Sequence, residues 1–280
     1  MTRRGPLLRV TDPARVRQSD PMDLGRVVVT GAAGRIGTAV RAGLRGSVEQ
    51  LVLVDRAPLT ADHPSEEVRQ LDLLDAAAVA EALAGAEAVL HLGGVPDEAP
   101  LPDLLQANVL GTHHVLEGAR KHGLRRVVLA SSNRLTGCYP TAKTVGPADP
   151  PRPDGLYGVS KVALEALGRL YADKFGLSVV CLRIGSYEDR PLERRHLATW
   201  LSPRDCLGYV RAALTTPGVG FTAAYAVSAN TRRHWELPAE LGYTPLDDAE
   251  AHLATLPEEP PGNGLQGGAF AEPAFTLPYL

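Results

Sequence analysis

Cysteine is scarce in this chain of 280 residues: Cys138, Cys181 and Cys206 are an odd number, far apart, with no metal-ligand spacing. A disulfide scaffold is excluded, and a reduced, cytoplasmic setting is expected. An excess of one charge is also missing. The 29 lysines and arginines against 32 acids leave a net −3, which argues against a basic surface that grips nucleic acid. No apolar run approaches the roughly 20 residues that cross a bilayer, so no membrane partner is expected. Residues 1–24 carry arginines but lack the apolar stretch of a secretory signal. With Pro6, Pro13 and Pro21 they read as a flexible extension, and Met22 is an alternative start of translation. There is no internal repeat and no low-complexity tract.

What is present is a chain 44% hydrophobic, long enough to bury roughly 75% of its extended surface. One domain, or one domain with a small lobe, is expected. Short apolar runs alternate with helical patterns. Val27–Thr30, Leu51–Val54, Ala88–Leu92, Val127–Ala130 and Val179–Leu182 are each four or five residues, rich in valine and leucine. Such runs suit strands buried on both faces of a parallel sheet. Helices are expected to about Leu44 and near 76–85, 104–122 and 157–174, long enough for βαβ crossovers. The fold class is α/β, a Rossmann-type doubly wound parallel sheet. A single domain over 25–256 is expected, with a small substrate-binding lobe at about 184–256. Residues 257–280 hold five prolines and four glycines and read as an irregular tail.

Strand ends finishing in Gly, Ser or Asp matter, because ligands sit at the carboxyl ends of such strands. Gly31-Ala32-Ala33-Gly34-Arg35-Ile36-Gly37 follows the first run and opens a helix. One glycine serves the tight turn, one admits a pyrophosphate to the backbone and one packs helix on strand. The helix N-terminus adds free N–H groups and a positive dipole end. Asp55 closes the second run 24 residues after Gly31, where a carboxylate binds a ribose 2′-hydroxyl. It repels a 2′-phosphate, so NAD is expected over NADP. Arg56 beside it, or Arg35, would hold that phosphate instead. Asp72 either reaches the adenine or is an exposed loop acid, and Leu73 beside it is a candidate cofactor contact.

Tyr157-Gly158-Val159-Ser160-Lys161 sets a tyrosine and a lysine four residues apart on one helix face. A free tyrosine ionises near roughly pH 10. A nearby ammonium and a positive nicotinamide favour the phenolate and lower that value. Ser132, 25 residues upstream at a strand end, is placed to hydrogen-bond the reacting oxygen. Ser132, Tyr157 and Lys161 are the candidate catalytic set.

From the glycine motif through this pair the chain resembles the extended short-chain dehydrogenase/reductase family. Several segments narrow the likeness: Leu92-Gly93-Gly94, Ser131-Ser132-Asn133, Gly137-Cys138-Tyr139-Pro140, Arg152 to Lys161, Arg183-Ile184-Gly185-Ser186, Thr199-Trp200-Leu201-Ser202 and Gln266-Gly267-Gly268-Ala269-Phe270. Together they resemble the uronate dehydrogenases. The resemblance covers about residues 25–280. It implies NAD-dependent oxidation of a hexuronic acid (glucuronate or galacturonate) at the anomeric carbon, giving the aldarolactone, with Tyr157 as general base. It also implies that Leu92 and Gly93 line the cofactor. Asn133, Ser186 and Arg195 would contact the sugar acid, Arg195 on its carboxylate, and a homo-oligomer is expected.

Two positions depart from the family. Pro96 stands where a serine is usual and Arg134 where a histidine follows the asparagine. Proline offers no donor to a sugar hydroxyl, while Arg134 either adds a second carboxylate contact or narrows the pocket. Of the remaining residues, Arg190, Arg194, Arg195 and His196 also read as a solvated basic run. His113 and His114 lack a third metal ligand, Trp200 and Trp235 read as packing, and nothing marks Cys138 as a nucleophile. The rival readings are a nucleotide-sugar epimerase or dehydratase, which needs a larger C-terminal lobe, and a non-catalytic dinucleotide sensor, which needs neither Tyr157 nor Lys161.

Overall fold

A computed structural model describes residues 24–258 and 262–280. The expectations for the N-terminal extension therefore lie outside the described residues, except at Leu24. Seven parallel strands form the central sheet: β1 (Arg26–Thr30), β2 (Gln50–Asp55), β3 (Glu66–Gln70), β4 (Ala88–His91), β5 (Arg126–Ser132), β6 (Val179–Ile184) and β9 (Phe221–Ala226). Their order is β3-β2-β1-β4-β5-β6-β9, so the direction of winding reverses between β1 and β4. That switch point opens a crevice above the carboxyl ends of the strands.

The central strands are valine and leucine because both faces are covered. On one face, Val40 and Leu44 of α1 (Arg35–Leu44) pack with Leu207, Val210 and Leu214 of α7 (Pro203–Thr215) over Val27, Val29 and Leu53. On the other, α2 (Ala76–Leu83), α4 (Gly111–His122) and α5 (Leu156–Phe175) bring Leu83, Leu116 and Leu164 onto Val28, Val52 and Val127. The sheet is doubly wound, as the alternation of runs implies.

Two strands, β3 and β9, are additions to the expected five. Both are edges, each with a single neighbour, so neither carries the continuous apolar signal of a strand buried on both sides. The helix expected from 104 begins earlier. Short α3 (Leu101–Leu104) runs through a π-helical turn, Leu105–Leu110, into α4. Within that turn the Asn108 amide accepts from the Val95 N–H at 2.8 Å and donates to the Ser160 hydroxyl at 3.0 Å.

Of the segment 184–256, α7 and β9 belong to the main layers. The small pair β7 (Ser186–Tyr187) and β8 (Trp200–Leu201), with α6 (His196–Thr199) between them, lies beyond the end of β6. The tail differs from the irregular segment expected. It carries helical turns at Gly268–Ala271 and α8 (Pro273–Thr276), and it is pinned to the body. Gln266 N–H donates to Tyr139 O at 2.9 Å and Gly267 N–H to Gly137 O at 2.8 Å. The Gln266 side chain, 1% exposed, donates to Pro140 O and Lys143 O at 3.1 and 2.7 Å. Proline and glycine deny the tail long helices or strands. They do not prevent it from docking.

Candidate active site

One cleft of about 1250 Å³ runs along the carboxyl ends of β1, β2, β4, β5 and β6. Its lining includes Gly31, Ala33, Gly34, Arg35, Ile36, Gly37, Asp55, Arg56, Asp72, Leu73, Leu92 and Gly93. It also includes Pro96, Ser132, Asn133, Arg134, Tyr157, Lys161, Ser186 and Arg195. Every candidate residue read from the sequence thus lines the same cleft.

At the dinucleotide end Gly31 has φ +69°, and a Cβ there would meet the Gly93 backbone nitrogen at 2.7 Å. A Cβ on Gly37 would lie 2.3 Å from Gly31 O. Both positions demand glycine for contact reasons, not only for flexibility. The first turn of α1 has no side-chain cap on Gly34, which leaves the helix N-terminus available to an anion. Asp55 is held by two backbone donors, Ala33 N–H and Ala57 N–H, each at 2.9 Å. Arg35 turns away from Asp55 and forks onto Glu188 at 2.5 and 3.0 Å, so this candidate partner of a 2′-phosphate is occupied by a carboxylate. These residues fit a dinucleotide. NAD is expected to exceed NADP about a hundredfold in kcat/KM, since a few kcal/mol of like-charge repulsion at Asp55 has that effect. Initial rates with each cofactor measure it, and equal rates would mean that Arg56 or Arg35 recruits the phosphate.

At the chemical end the Ser132 hydroxyl faces Tyr157 and pulls its pKa down, and it accepts from Arg134 N–H at 3.2 Å. Asn133 is buried beside it, its Oδ1 3.5 Å from Ser132 Oγ. Lys161 donates to Ala130 O at 2.9 Å and lies 5.4 Å from the Tyr157 ring centre. The spacing argument expects a lowered tyrosine pKa, and here the structure corrects it. Burial pushes the phenol up to about 12, against the opposing pull of Ser132 and Arg134. Burial also brings Lys161 down to about 8. Desolvation is the largest cause, and the cation that pulls the phenol down is Arg134, a residue the spacing did not nominate.

The two arginines differ sharply. Arg134 is spent: its nitrogens donate to Asp154, Asp97 and Glu98 at 2.9, 2.6 and 3.1 Å. Little donor capacity remains for a substrate carboxylate. Arg195 sits at the mouth of the substrate end, where its Nη2 donates to Ser186 Oγ and its Nε to Glu193, both at 3.2 Å. Glu193 is 45% exposed, and burial lowers the Arg195 pKa against the attraction of that acid. Arg195 is thus no part of a freely solvated run. Ser186 also exchanges a hydrogen bond with Thr199 at 2.8 Å. Phe270, 4.9 Å from Arg195, joins the lining from the tail. Asp97, Glu193 and Phe270 are site-lining residues missed by direct reading. Only the likeness at Gln266 to Phe270 hinted at the last.

A model of the NAD dependent epimerase/dehydratase family matches residues 27–197. The chain belongs to the NAD dependent epimerase/dehydratase family. Within it, the uronate dehydrogenase of Pseudomonas putida is 40% identical over 255 residues, 88% of this chain and 95% of that one. The crystal structure of uronate dehydrogenase from Agrobacterium tumefaciens superposes with a TM-score of 0.86 at 40% identity, covering 91% of this chain and 100% of that one. A mutant of that enzyme complexed with NAD gives a TM-score of 0.85, also at 40% identity, covering 90% and 99%.

Proposed function

We propose that this protein is an NAD-dependent dehydrogenase that oxidises a hexuronic acid at its anomeric carbon to the aldarolactone. The observation that carries the reading is Arg195. A partly buried guanidinium with one half-exposed carboxylate partner faces the same cleft as Ser132, Tyr157 and Lys161. A carboxylated sugar supplies a second anion to this arginine, beside Glu193, and presents its far end to the tyrosine.

The roles follow from the contacts. Gly31, the uncapped first turn of α1 and Asp55 hold the cofactor, with Asp55 on the ribose and Leu92 and Gly93 along the groove. NAD, when bound, would supply the hydride acceptor and a positively charged ring. Tyr157 takes the proton of the anomeric hydroxyl, Ser132 fixes that oxygen, and Lys161 holds ribose hydroxyls and supports the phenolate. Loss of the anomeric hydrogen as hydride and of the hydroxyl hydrogen as a proton turns the ring hemiacetal into a lactone. Arg195 and Ser186 hold the sugar acid, while Asn133 orients its hydroxyls.

Among the described residues no helix is long and apolar enough to cross a membrane. A cytoplasmic setting suits the three free thiols. Self-association suits the exposed Leu105, Leu110, Val159, Leu170 and Phe175 along α3 to α5; light scattering on the purified protein tests it.

The functional test incubates the protein with NAD and a panel of uronic acids, neutral aldoses and nucleotide sugars while NADH absorbance is followed. NADH forms with glucuronate or galacturonate and weakly, if at all, with the rest. Turnover confined to a nucleotide sugar contradicts the reading.

A further inference from the structure

Arg134 is the most heavily partnered cation in the cleft, and its partners lead to the tyrosine. Its side chain is 9% exposed, and those of Glu98 and Asp154 are 1% and 0% exposed. Glu98 in turn accepts the backbone N–H groups of Leu156 at 2.7 Å and Tyr157 at 3.2 Å. Those are the first two residues of α5, and the preceding Gly155 has no side chain to cap them. A carboxylate there satisfies orphan donors and meets the positive end of the helix dipole. The tyrosine backbone is thus anchored to Glu98, and Glu98 is anchored to Arg134.

The guanidinium is also sandwiched by rings. Its centre lies 5.1 Å from the Tyr157 ring, 4.5 Å from Phe270 and 5.1 Å from Phe275. The two phenylalanines meet edge to face at 4.9 Å. Thr276, one residue on, donates its hydroxyl to Glu98 at 3.1 Å. Three side chains of the C-terminal segment therefore press on the arginine and the glutamate from outside. Phe275 does this without lining the cleft.

We propose that Arg134 is a positioning residue for Tyr157, and that the segment carrying Phe270, Phe275 and Thr276 is the clamp that holds Arg134 and Glu98 in place. The proposal rests on the reading of Tyr157 as the base. The fork of a guanidinium is needed because three carboxylates in three directions must be met at once, which an ammonium cannot do with the same geometry. The charged and polar groups facing the phenol are Lys161 on its own helix, Ser132 at the end of β5, Arg134, Asp97 and Asp154. Arg134 and Ser132 favour the phenolate, whereas the two aspartates oppose it. Loss of the guanidinium leaves the aspartates to hold the proton on the tyrosine.

The test measures kcat, KM for uronate and NAD, the pH profile and the unfolding midpoint in full-length variants. Tyr157→Phe comes first. Near-normal turnover there overturns the assignment of the base, and the positioning role falls with it for that separate reason. With Tyr157 established, Arg134→Lys keeps the charge but lowers kcat about thirtyfold, the scale of a sub-ångström to one-ångström misplacement of a catalytic group. KM values stay within about twofold. The double variant Arg134→Gln with Asp154→Asn removes the cation together with one of its acids and moves the acid limb of kcat to higher pH, whereas Arg134→Lys leaves that limb near its original position. Phe275→Ala, far less disruptive to folding, lowers kcat about three- to tenfold with KM unchanged. Folded variants whose kcat stays within twofold and whose pH profile does not move overturn the proposal. So does a rise in uronate KM with kcat preserved, which would make Arg134 a substrate anchor. If the Arg134 variants do not fold, Phe275→Ala decides alone.

Discussion

Tyr157→Phe lowers kcat at least about a hundredfold, the lower end for a positioned acid–base group. The substitution keeps a ring in a site that is 8% exposed and removes only the ionisable oxygen, so packing and NADH binding persist. The pH dependence has a definite sign. The phenol is pushed up to about 12 by burial, so below that value the ionised fraction grows about tenfold with each pH unit. kcat/KM with wild-type protein therefore rises from pH 6 to 8, over a range in which the substrate carboxylate is fully ionised. Lys161, brought down to about 8 by burial, gives up its proton near the top of that range, and its support weakens beyond it. Stopped assays across this range measure both effects. A flat profile, or a Tyr157→Phe variant with normal turnover, would place the base on another group.

Arg195→Ala removes most of the preference for a uronic acid over the matching aldose. Glucose and glucuronate differ only at the end where one carries a hydroxymethyl and the other a carboxylate. A guanidinium holds that carboxylate through two parallel charge-assisted hydrogen bonds. Losing the substrate carboxylate from a partly buried guanidinium costs roughly 2–4 kcal/mol in transition-state binding, or about a hundredfold in kcat/KM. The variant loses that factor on uronate and changes little on the poor aldose. Arg134 is the alternative anchor, but its three nitrogens already meet three carboxylates. A preference that survives Arg195→Ala and disappears in Arg134→Lys would reverse the two assignments.

Much of this site was legible in the sequence because parallel α/β sheets bring the carboxyl ends of consecutive strands together. Gly31, Asp55, Leu92, Ser132 and Ser186 are strand-end residues. Once the five apolar runs are recognised, topology alone gathers them. The i, i+4 spacing of Tyr157 and Lys161 places both on one helix face in the same way. What stayed hidden depends on contacts without a periodic signature. β3 reads Glu-Glu-Val-Arg-Gln, since an edge strand can spend its inward position on Glu66, buried against Arg41 and Arg45. Phe270 reaches the cleft from a segment whose proline and glycine content signals only the absence of long elements. The raised pKa of Tyr157 reflects burial and the acids around Arg134. Spacing along one helix says nothing about either. Arg134 itself is visible in the sequence as a departure from the family, yet its three acids come from segments 20 to 37 residues away.

The most direct measurement uses glucuronate or galacturonate carrying deuterium at the anomeric carbon, with NAD, under single-turnover conditions. The product cofactor should contain the deuterium, the rate should fall by a primary isotope effect if hydride transfer limits it, and the sugar product should be the lactone before it hydrolyses. Deuterium retained in the sugar, with an epimer or dehydrated product and no net NADH, would contradict oxidation at the anomeric carbon.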